Sequence, residues 1–174
     1  MQRRTLLGMG IAGSAVLAVA GGGAWLLRAS RAWRDGRLLP DGQRVLRAVA
    51  RGVLDGSLPD GVRAPGAQAA ALDAHLVRMQ ASLAALSPAA QREVDELLTL
   101  LATAPGRVAL ATLAPAWEDA SVHDIQQALQ SMRFSSIALR RQAYQALRDL
   151  THVAFFADPS TWARLGYPGP LRIS

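Results

Sequence analysis

The side chains that most often do chemistry are few in this sequence and widely spaced. Three histidines, His75, His123 and His152, stand far apart, with no HxxxH spacing and no group of carboxylates beside them. A metal site needs two or more ligands to converge, and a catalytic histidine needs a group that orients it. We therefore expect each histidine to be a surface or boundary residue on its own helix, and not a metal ligand.

The patterns of nucleophilic and phosphate-binding sites are also missing. Ser135 and Ser136 have no nucleophile elbow around them, and no glycine-rich loop follows a strand pattern. The chain has no cysteine, which excludes disulfides, haem c attached through CxxCH, and cysteine-bound zinc or iron–sulfur clusters. Glu93, Asp95 and Glu96 fit a solvated face near a helix start. The sequence predicts no catalytic, cofactor-binding or metal-binding residue, and the chain is not expected to be an enzyme.

The positive charge is concentrated at the N-terminal end. All 19 basic residues are arginines, and nine of them lie within residues 1–51, where only Asp35 and Asp41 are acidic. The rest of the chain is close to neutral, whereas a nucleic-acid interface needs positive charge across the folded domain. We therefore expect no nucleic-acid partner. The pair Arg140-Arg141 is interpreted as an exposed helix face, with a partner contact as the alternative.

Apolar residues recur at three- and four-residue spacing through most of the chain, which is the pattern of amphipathic helices. The sequence predicts an all-α fold, a compact bundle of five or six helices preceded by an N-terminal hydrophobic signal or anchor helix. Asp41 is the expected N-cap of the first bundle helix, Ser87 and Ser121 are those of two later ones, and residues 104–106 are a predicted break. No stretch alternates with period two for long enough to predict a strand.

A pair of arginines precedes an apolar run at the N-terminus. Arg3 and Arg4 are followed by a variable residue, by Leu6 and Leu7, and by no charge until Arg28. A charged start, an apolar segment and small residues at a cleavage site are the three parts of a signal peptide. An arginine pair in this position is typical of twin-arginine signals. We predict a signal in residues 1–20 with cleavage at Ala18-Val19-Ala20, a basic linker in residues 21–40, and a helical domain in residues 41–174.

Two other interpretations of the leader stay open. It can be an ordinary secretory signal in which two arginines are adjacent by chance. It can also be an uncleaved anchor that extends to about residue 34, since the stretch from Leu6 to Leu27 is about 33 Å long as a helix. In that case Trp25 and Trp33, which stand among arginines, would lie at the headgroup interface.

The C-terminal segment carries the most distinctive residues. The stretch FFADPSTW, residues 155–162, should end the last helix before Asp158-Pro159 and begin one more turn that holds Trp162. Pro168-Gly169 suits the centre of a type II turn. Such a tail is either a lid over the bundle's own core or a preorganised contact surface. The predicted partner-binding residues are Trp162, Gly166, Tyr167, Pro168, Gly169 and Pro170.

Four stretches together resemble one known family. They are the twin-arginine leader, LRAVARGVLDGSLP at 46–59, SSIALRRQAYQALRDL at 135–150 and FFADPSTWARLGYPGP at 155–170. The chain resembles the small subunit, or subunit 3, family of gluconate 2-dehydrogenase-type complexes.

The resemblance implies a non-catalytic accessory (gamma) subunit that binds no cofactor itself. Its expected partner is an FAD-dependent sugar or alcohol dehydrogenase of the glucose–methanol–choline type, with a multihaem cytochrome c as a possible third subunit. The small subunit would assist folding of the flavin subunit and carry it through the twin-arginine translocon. The expected location is the periplasm, associated with the cytoplasmic membrane through the N-terminal segment. The alternative is a membrane-anchored helical adaptor or structural protein unrelated to redox chemistry.

Overall fold

The computed structural model describes residues 31–162 and 166–169. A two-stranded hairpin, β1 (Trp33–Arg34) and β2 (Arg37–Leu38), comes first and is followed by helices and a short 3-10 turn, Pro159–Thr161. The helices are α1 (Pro40–Val53), α2 (Pro65–Ala84), α3 (Pro88–Ala102), α4 (Ala104–Ala111), α5 (Val122–Arg133) and α6 (Ala138–Phe156). The predicted export and cleavage residues lie outside the described part: Arg3, Arg4, Leu6, Leu7, Ala18 and Ala20.

The described part is a helical bundle built around α1, which confirms the all-α prediction. Helix α1 packs against α2, α3, α5 and α6. Its residues Val45, Leu46 and Val49 are fully buried, and apolar burial of this kind is the main stabilising term of a helical core. Among the described residues, no helix is both long enough and apolar enough to cross a lipid bilayer.

Two of the three predicted helix caps are confirmed. The Ser87 hydroxyl accepts a hydrogen bond from the Ala90 amide at 3.3 Å. Ser121 forms a capping box, since its hydroxyl accepts from the Asp124 amide at 3.1 Å and the Asp124 carboxylate accepts from the Ser121 amide at 3.1 Å. These bonds satisfy amides that have no partner within the helix.

Asp41 is not a cap, which corrects the third prediction. Helix α1 begins at Pro40, two residues before the start that an Asp41 cap would give, and its N-cap Leu39 makes no side-chain bond. The proline fixes the helical φ at the first position, where an amide donor is not needed. Asp41 instead lies in the first turn, where its charge suits the helix dipole, and it pairs with Arg44.

The predicted break at residues 104–106 is misplaced: these residues form the first turn of α4, and the break between α3 and α4 is the single residue Thr103. Thr103 ends α3 and caps α4, because its hydroxyl donates to the Leu100 carbonyl at 2.7 Å and accepts from the Gly106 amide at 3.2 Å. The turn brings the backbone of Gly106 against α3, and a Cβ at that position would stand 2.0 Å from the Leu100 oxygen. Only glycine fits this approach.

Residues 31–39, which we predicted as part of a linker, belong to the folded domain. Ala32, Trp33 and Leu38 are buried in the main core cluster. The chain reverses through Asp35 and Gly36, both with positive φ (50° and 77°), and pairs Trp33 with Leu38. Trp33 is 6% exposed, so it does not lie at a headgroup interface, where the uncleaved-anchor alternative places it. The folded unit begins before residue 41.

Asp95 on α3 binds the start of residues 31–39, and its predicted place on a solvated face is also wrong. One carboxylate oxygen accepts hydrogen bonds from the Ala32 and Trp33 amides, at 3.0 and 2.8 Å. The other oxygen lies 3.5 Å from the Arg31 guanidinium. These two buried amides are therefore hydrogen-bonded, although no helix or strand bond satisfies them. Its neighbours Glu93 and Glu96 are exposed, as the sequence predicts.

Candidate functional site

The three histidines lie on three helices, α2, α5 and α6, as predicted, but His75 is not a surface or boundary residue. It is 1% exposed, and neither ring nitrogen has a hydrogen-bond partner among the described residues. Burial, together with the nearby Arg78, lowers the pKa of His75 to about 4, because a charged ring would be poorly solvated there. Within the part of the chain that the structure describes, no group of three or more histidine or acidic residues could hold a metal ion.

Arg140 also differs from its prediction as an exposed residue. Its guanidinium donates to the Leu110 carbonyl at 2.7 Å and to the Ser131 hydroxyl at 2.8 Å. It therefore ties α6 to α4 and α5. Arg141 is exposed, as predicted, and donates to the Ser135 carbonyl at 2.7 Å.

A groove of about 200 Å³ runs beside α1 and is lined in part by three of its arginines and by Trp117. Arg44 pairs with Asp41 and lies 3.5 Å from Glu118, and Arg47 pairs with Asp73. Arg51 donates to the Ala120 carbonyl at 3.1 Å. Each guanidinium already has a partner, so nothing in this groove indicates a site for an anionic ligand.

The end of α6 is held in place by Asp158. Its carboxylate accepts from the Ser160 amide and hydroxyl, at 3.0 and 2.7 Å, and its other oxygen lies 3.2 Å from the Arg78 guanidinium. The bonds from Ser160, and to a smaller extent the charge of Arg78, hold the pKa of Asp158 below its usual value. Arg78 also donates to the Ala154 carbonyl at 3.0 Å. The predicted stop at Asp158-Pro159 and the following turn are confirmed.

The tail folds back on Trp162. The indole N–H donates to the Phe156 carbonyl at 2.8 Å, and the Tyr167 amide donates to the Trp162 carbonyl at 3.0 Å. The Trp162 and Tyr167 rings pack edge to face with centroids 5.6 Å apart. Gly169 has the positive φ that we predicted, 98°, and a Cβ there would lie 3.4 Å from the Trp162 ring.

Further aromatic side chains join these two at the end of α6. Phe156 packs edge to face on Phe155, with centroids 5.5 Å apart, and lies 6.0 Å from the His152 ring. Burial and the Arg148 charge lower the pKa of His152, which favours the neutral ring beside Phe156. We call the set of His152, Phe155, Phe156, Trp162 and Tyr167 the aromatic surface.

The aromatic surface as a whole belongs neither to the buried core nor to a tail that is detached from the domain. Trp162 is half-buried and stands outside both core clusters, while Phe156 and Tyr167 are 46% and 50% exposed. The tail thus uses one face to cover the end of α6 and leaves two aromatic rings open to solvent. Of the predicted partner-binding residues, Trp162 and those at 166–169 lie in this region, and Pro170 lies outside the described residues.

Sequence reasoning missed the contribution of α6 to this surface. The signal was the adjacent pair Phe155-Phe156 followed by Asp158-Pro159. Two neighbouring residues on a helix point in directions about 100° apart, so only one of them can face the core. Phe155 packs on the small cluster of Ala50, Leu54 and Leu72, and Phe156 is the residue left outside.

Comparisons with protein-family models, with curated proteins and with solved structures find no match to this chain. The resemblance to the gluconate 2-dehydrogenase small subunit family therefore stays a hypothesis that rests on the four sequence stretches.

Proposed function

We propose that this chain is a non-catalytic small subunit of a periplasmic FAD-dependent dehydrogenase complex. It would bind the flavin subunit, assist its folding and carry it through the twin-arginine translocon. The observation that carries the proposal is the aromatic surface. Its Phe156 and Tyr167 rings are exposed to solvent, and hydrogen bonds to backbone carbonyls fix the Trp162 indole and the Tyr167 amide. The twin-arginine leader and the resemblance in residues 135–170 support it from the sequence.

The geometry of the aromatic surface supports binding to a protein. Tyrosine and tryptophan are enriched among the residues that dominate protein–protein affinity. A surface that is already ordered loses less conformational entropy when a partner docks. Here Trp162 is fixed by its bond to the Phe156 carbonyl and holds Tyr167 beside it. The surface is thus preorganised for a partner that supplies an apolar pocket.

The export part of the proposal is tested by replacing Arg3 and Arg4 together with lysine. Lysine keeps the charge but lacks the planar guanidinium with its five fixed donors, so the change tests geometry. We expect the chain to stay in the cytoplasm and its flavoprotein partner to stay with it. Cell fractionation with dehydrogenase assays should show activity falling in the periplasm and persisting in the cytoplasm.

The matched control is Arg34→Lys with Arg37→Lys, the same exchange at two exposed arginines of the hairpin. It should leave export unchanged. Continued export of both proteins after the Arg3 and Arg4 exchange would show an ordinary secretory signal and end the carrier hypothesis. Retention of this chain alone would show that the two proteins do not travel together. A membrane-anchored chain that never co-purifies with a flavin would favour the adaptor alternative.

The aromatic surface is tested by Tyr167→Ala and Phe156→Ala in the full chain. Both side chains are about half exposed, so the melting temperature of the isolated subunit should hardly change. Affinity for the co-purified flavoprotein should fall about 30-fold, which corresponds to about 2 kcal/mol for a dominant interface residue. Binding is measured by titrating the subunit against the flavoprotein and following the flavin spectrum.

Val108→Ala is the control for this pair, because Val108 is an apolar side chain on α4 that is 51% exposed. It should leave binding unchanged. Trp162→Ala separates the two interpretations of the tail: loss of helicity in the isolated subunit would make the tail a lid. Unchanged flavoprotein binding in Tyr167→Ala and Phe156→Ala would remove the aromatic surface from the interface.

A further inference from the structure

The connection between α5 and α6 exposes two large apolar side chains. It runs from Phe134 to Ile137, and these two residues are 75% and 56% exposed. We call residues 133–141 the α5–α6 tip. The aromatic surface lies at the other end of α6, about 28 Å away along a helix of 19 residues. The tip is therefore a separate feature of the molecule.

The tip is held in one conformation by local hydrogen bonds. The Phe134 amide donates to the Gln130 carbonyl at 3.0 Å, and the Ile137 amide donates to the Ser135 hydroxyl at 3.2 Å. Arg141 reaches back to the Ser135 carbonyl, and Arg140 ties the start of α6 to α4. Phe134 and Ile137 thus protrude from a rigid turn.

The tip carries positive charge that no carboxylate neutralises. All thirteen acidic residues lie outside residues 97–117 and 125–148, which include all of α4, most of α5 and the first part of α6. Within the described residues, Arg133, Arg140 and Arg141 form no ion pair, since every recorded salt bridge involves other arginines. The Arg133 guanidinium lies 5.0 Å from the centre of the Phe134 ring, so charge and apolar surface are side by side.

The shape of the tip fits a lipid surface better than a protein pocket. Tip residues line neither the groove beside α1 nor a second one along residues 55–62, and the exposed side chains of Phe134 and Ile137 protrude from the turn. Apolar side chains that protrude from a basic surface enter the headgroup boundary of a bilayer, and arginines beside them bind lipid phosphates. Anionic lipids add an attraction for each arginine near the membrane.

We infer that the α5–α6 tip docks the folded domain on an anionic membrane surface, with Phe134 and Ile137 in the headgroup boundary and Arg133 and Arg141 on lipid phosphates. This contact is distinct from any attachment through the N-terminal segment. It goes beyond the proposed function, since it holds for this chain with or without a flavoprotein partner.

The absence of cysteine from the chain allows a direct test. Ser136→Cys places one thiol in the tip at an exposed position and keeps Phe134 and Ile137. The full chain, labelled there with a fluorophore, is bound to vesicles that contain a quencher in their acyl chains. We expect strong quenching with phosphatidylglycerol–phosphatidylcholine vesicles, and a docking constant at least about 10-fold weaker with phosphatidylcholine alone. High salt should also weaken docking, because it screens the attraction between the arginines and the anionic lipids.

Val62→Cys is the matched control, because Val62 is 93% exposed in the loop before α2. Its label should not be quenched. In the Ser136→Cys chain, Arg133→Gln with Arg141→Gln, or Phe134→Ser with Ile137→Ser, should each lower the docking constant about 10-fold without changing the melting temperature. Equal quenching in both vesicle types, or none in either, would overturn the inference. Protection of the label by a co-purified acidic protein, without quenching by vesicles, would also overturn it and make the tip a protein-binding site.

Discussion

A single methyl group added at position 106 should lower the free energy of unfolding by about 3 kcal/mol or more. In Gly106→Ala the new Cβ would stand 2.0 Å from the Leu100 carbonyl oxygen. That oxygen belongs to the backbone and also accepts a hydrogen bond from the Thr103 hydroxyl, so it cannot move aside as a flexible side chain can. The turn between α3 and α4 must open, which would break the Thr103 cap.

The measurement is urea unfolding of the full chain followed by circular dichroism. Gly66→Ala is the control, since Gly66 lies in the first turn of α2 and, apart from the backbone of its own helix and its two neighbours, no described atom lies within 4 Å of its Cβ position. It should leave stability unchanged or raise it by about 0.5 kcal/mol, because alanine restricts the unfolded chain. A cost below about 1 kcal/mol for Gly106→Ala would show that the turn relaxes without breaking the cap.

The second large effect is a loss of stability in mild acid caused by His75. Burial, together with Arg78, lowers the pKa of His75 in the folded state to about 4, whereas the pKa of this residue in the unfolded chain is near 6.5. Between these values the unfolded chain binds the proton and the folded chain does not, so the free energy of unfolding falls as the pH falls. At about 1.4 kcal/mol for each pH unit, the loss is roughly 3 kcal/mol by pH 4. Above pH 6.5 His75 is neutral in both states, so none of this stability is lost there.

His75→Leu should remove most of this pH dependence and leave the part that the lowered pKa of His152 contributes. It should also raise stability at neutral pH, because it deletes two buried ring nitrogens that have no hydrogen-bond partner among the described residues. The control is His123→Gln, a change at an exposed residue of α5, which should retain the acid loss. Unfolding is measured at several values between pH 7 and pH 4. The carboxylates Asp124 and Asp158, whose pKa values are lowered by hydrogen bonds, lose their contribution only at lower pH. An equal slope in His75→Leu would assign the acid loss to other groups.

The parts of the fold that depend on neighbours in sequence were predictable. Ser87 and Ser121 cap helices through bonds to residues three positions on, and Asp158-Pro159 ends α6 through local geometry. Residues that depend on distant partners were not predictable. The sequence pattern predicts a solvated Asp95, because the amides that bind its carboxylate are more than sixty residues away in sequence. Arg140 and His75 were missed for the same reason, since helix packing decides their surroundings.

In the candidate site, too, features set by neighbours in sequence were predictable and features set by helix packing were not. The Trp162 turn and the positive φ of Gly169 follow from the types of the tail residues, and the sequence indicated both. The sequence could not show that Phe156 faces outward beside Trp162. That outcome depends on the rotation of α6 about its axis, which is set by its contacts with α1 and α2.

The way in which residues 31–39 are fastened decides how the domain bears mechanical load. A pull on the chain before residue 31 would first reach the bonds from Ala32 and Trp33 to Asp95 on α3. The Leu38 amide is bonded to Gln80 on α2, at 3.1 Å, and the backbone of Gly42 on α1 lies tightly against Ala32. Tension is therefore shared among three helices instead of peeling α1 away from its N-terminus. We expect the domain to resist such a pull as one body, which is the property that the proposed export in the folded state would need.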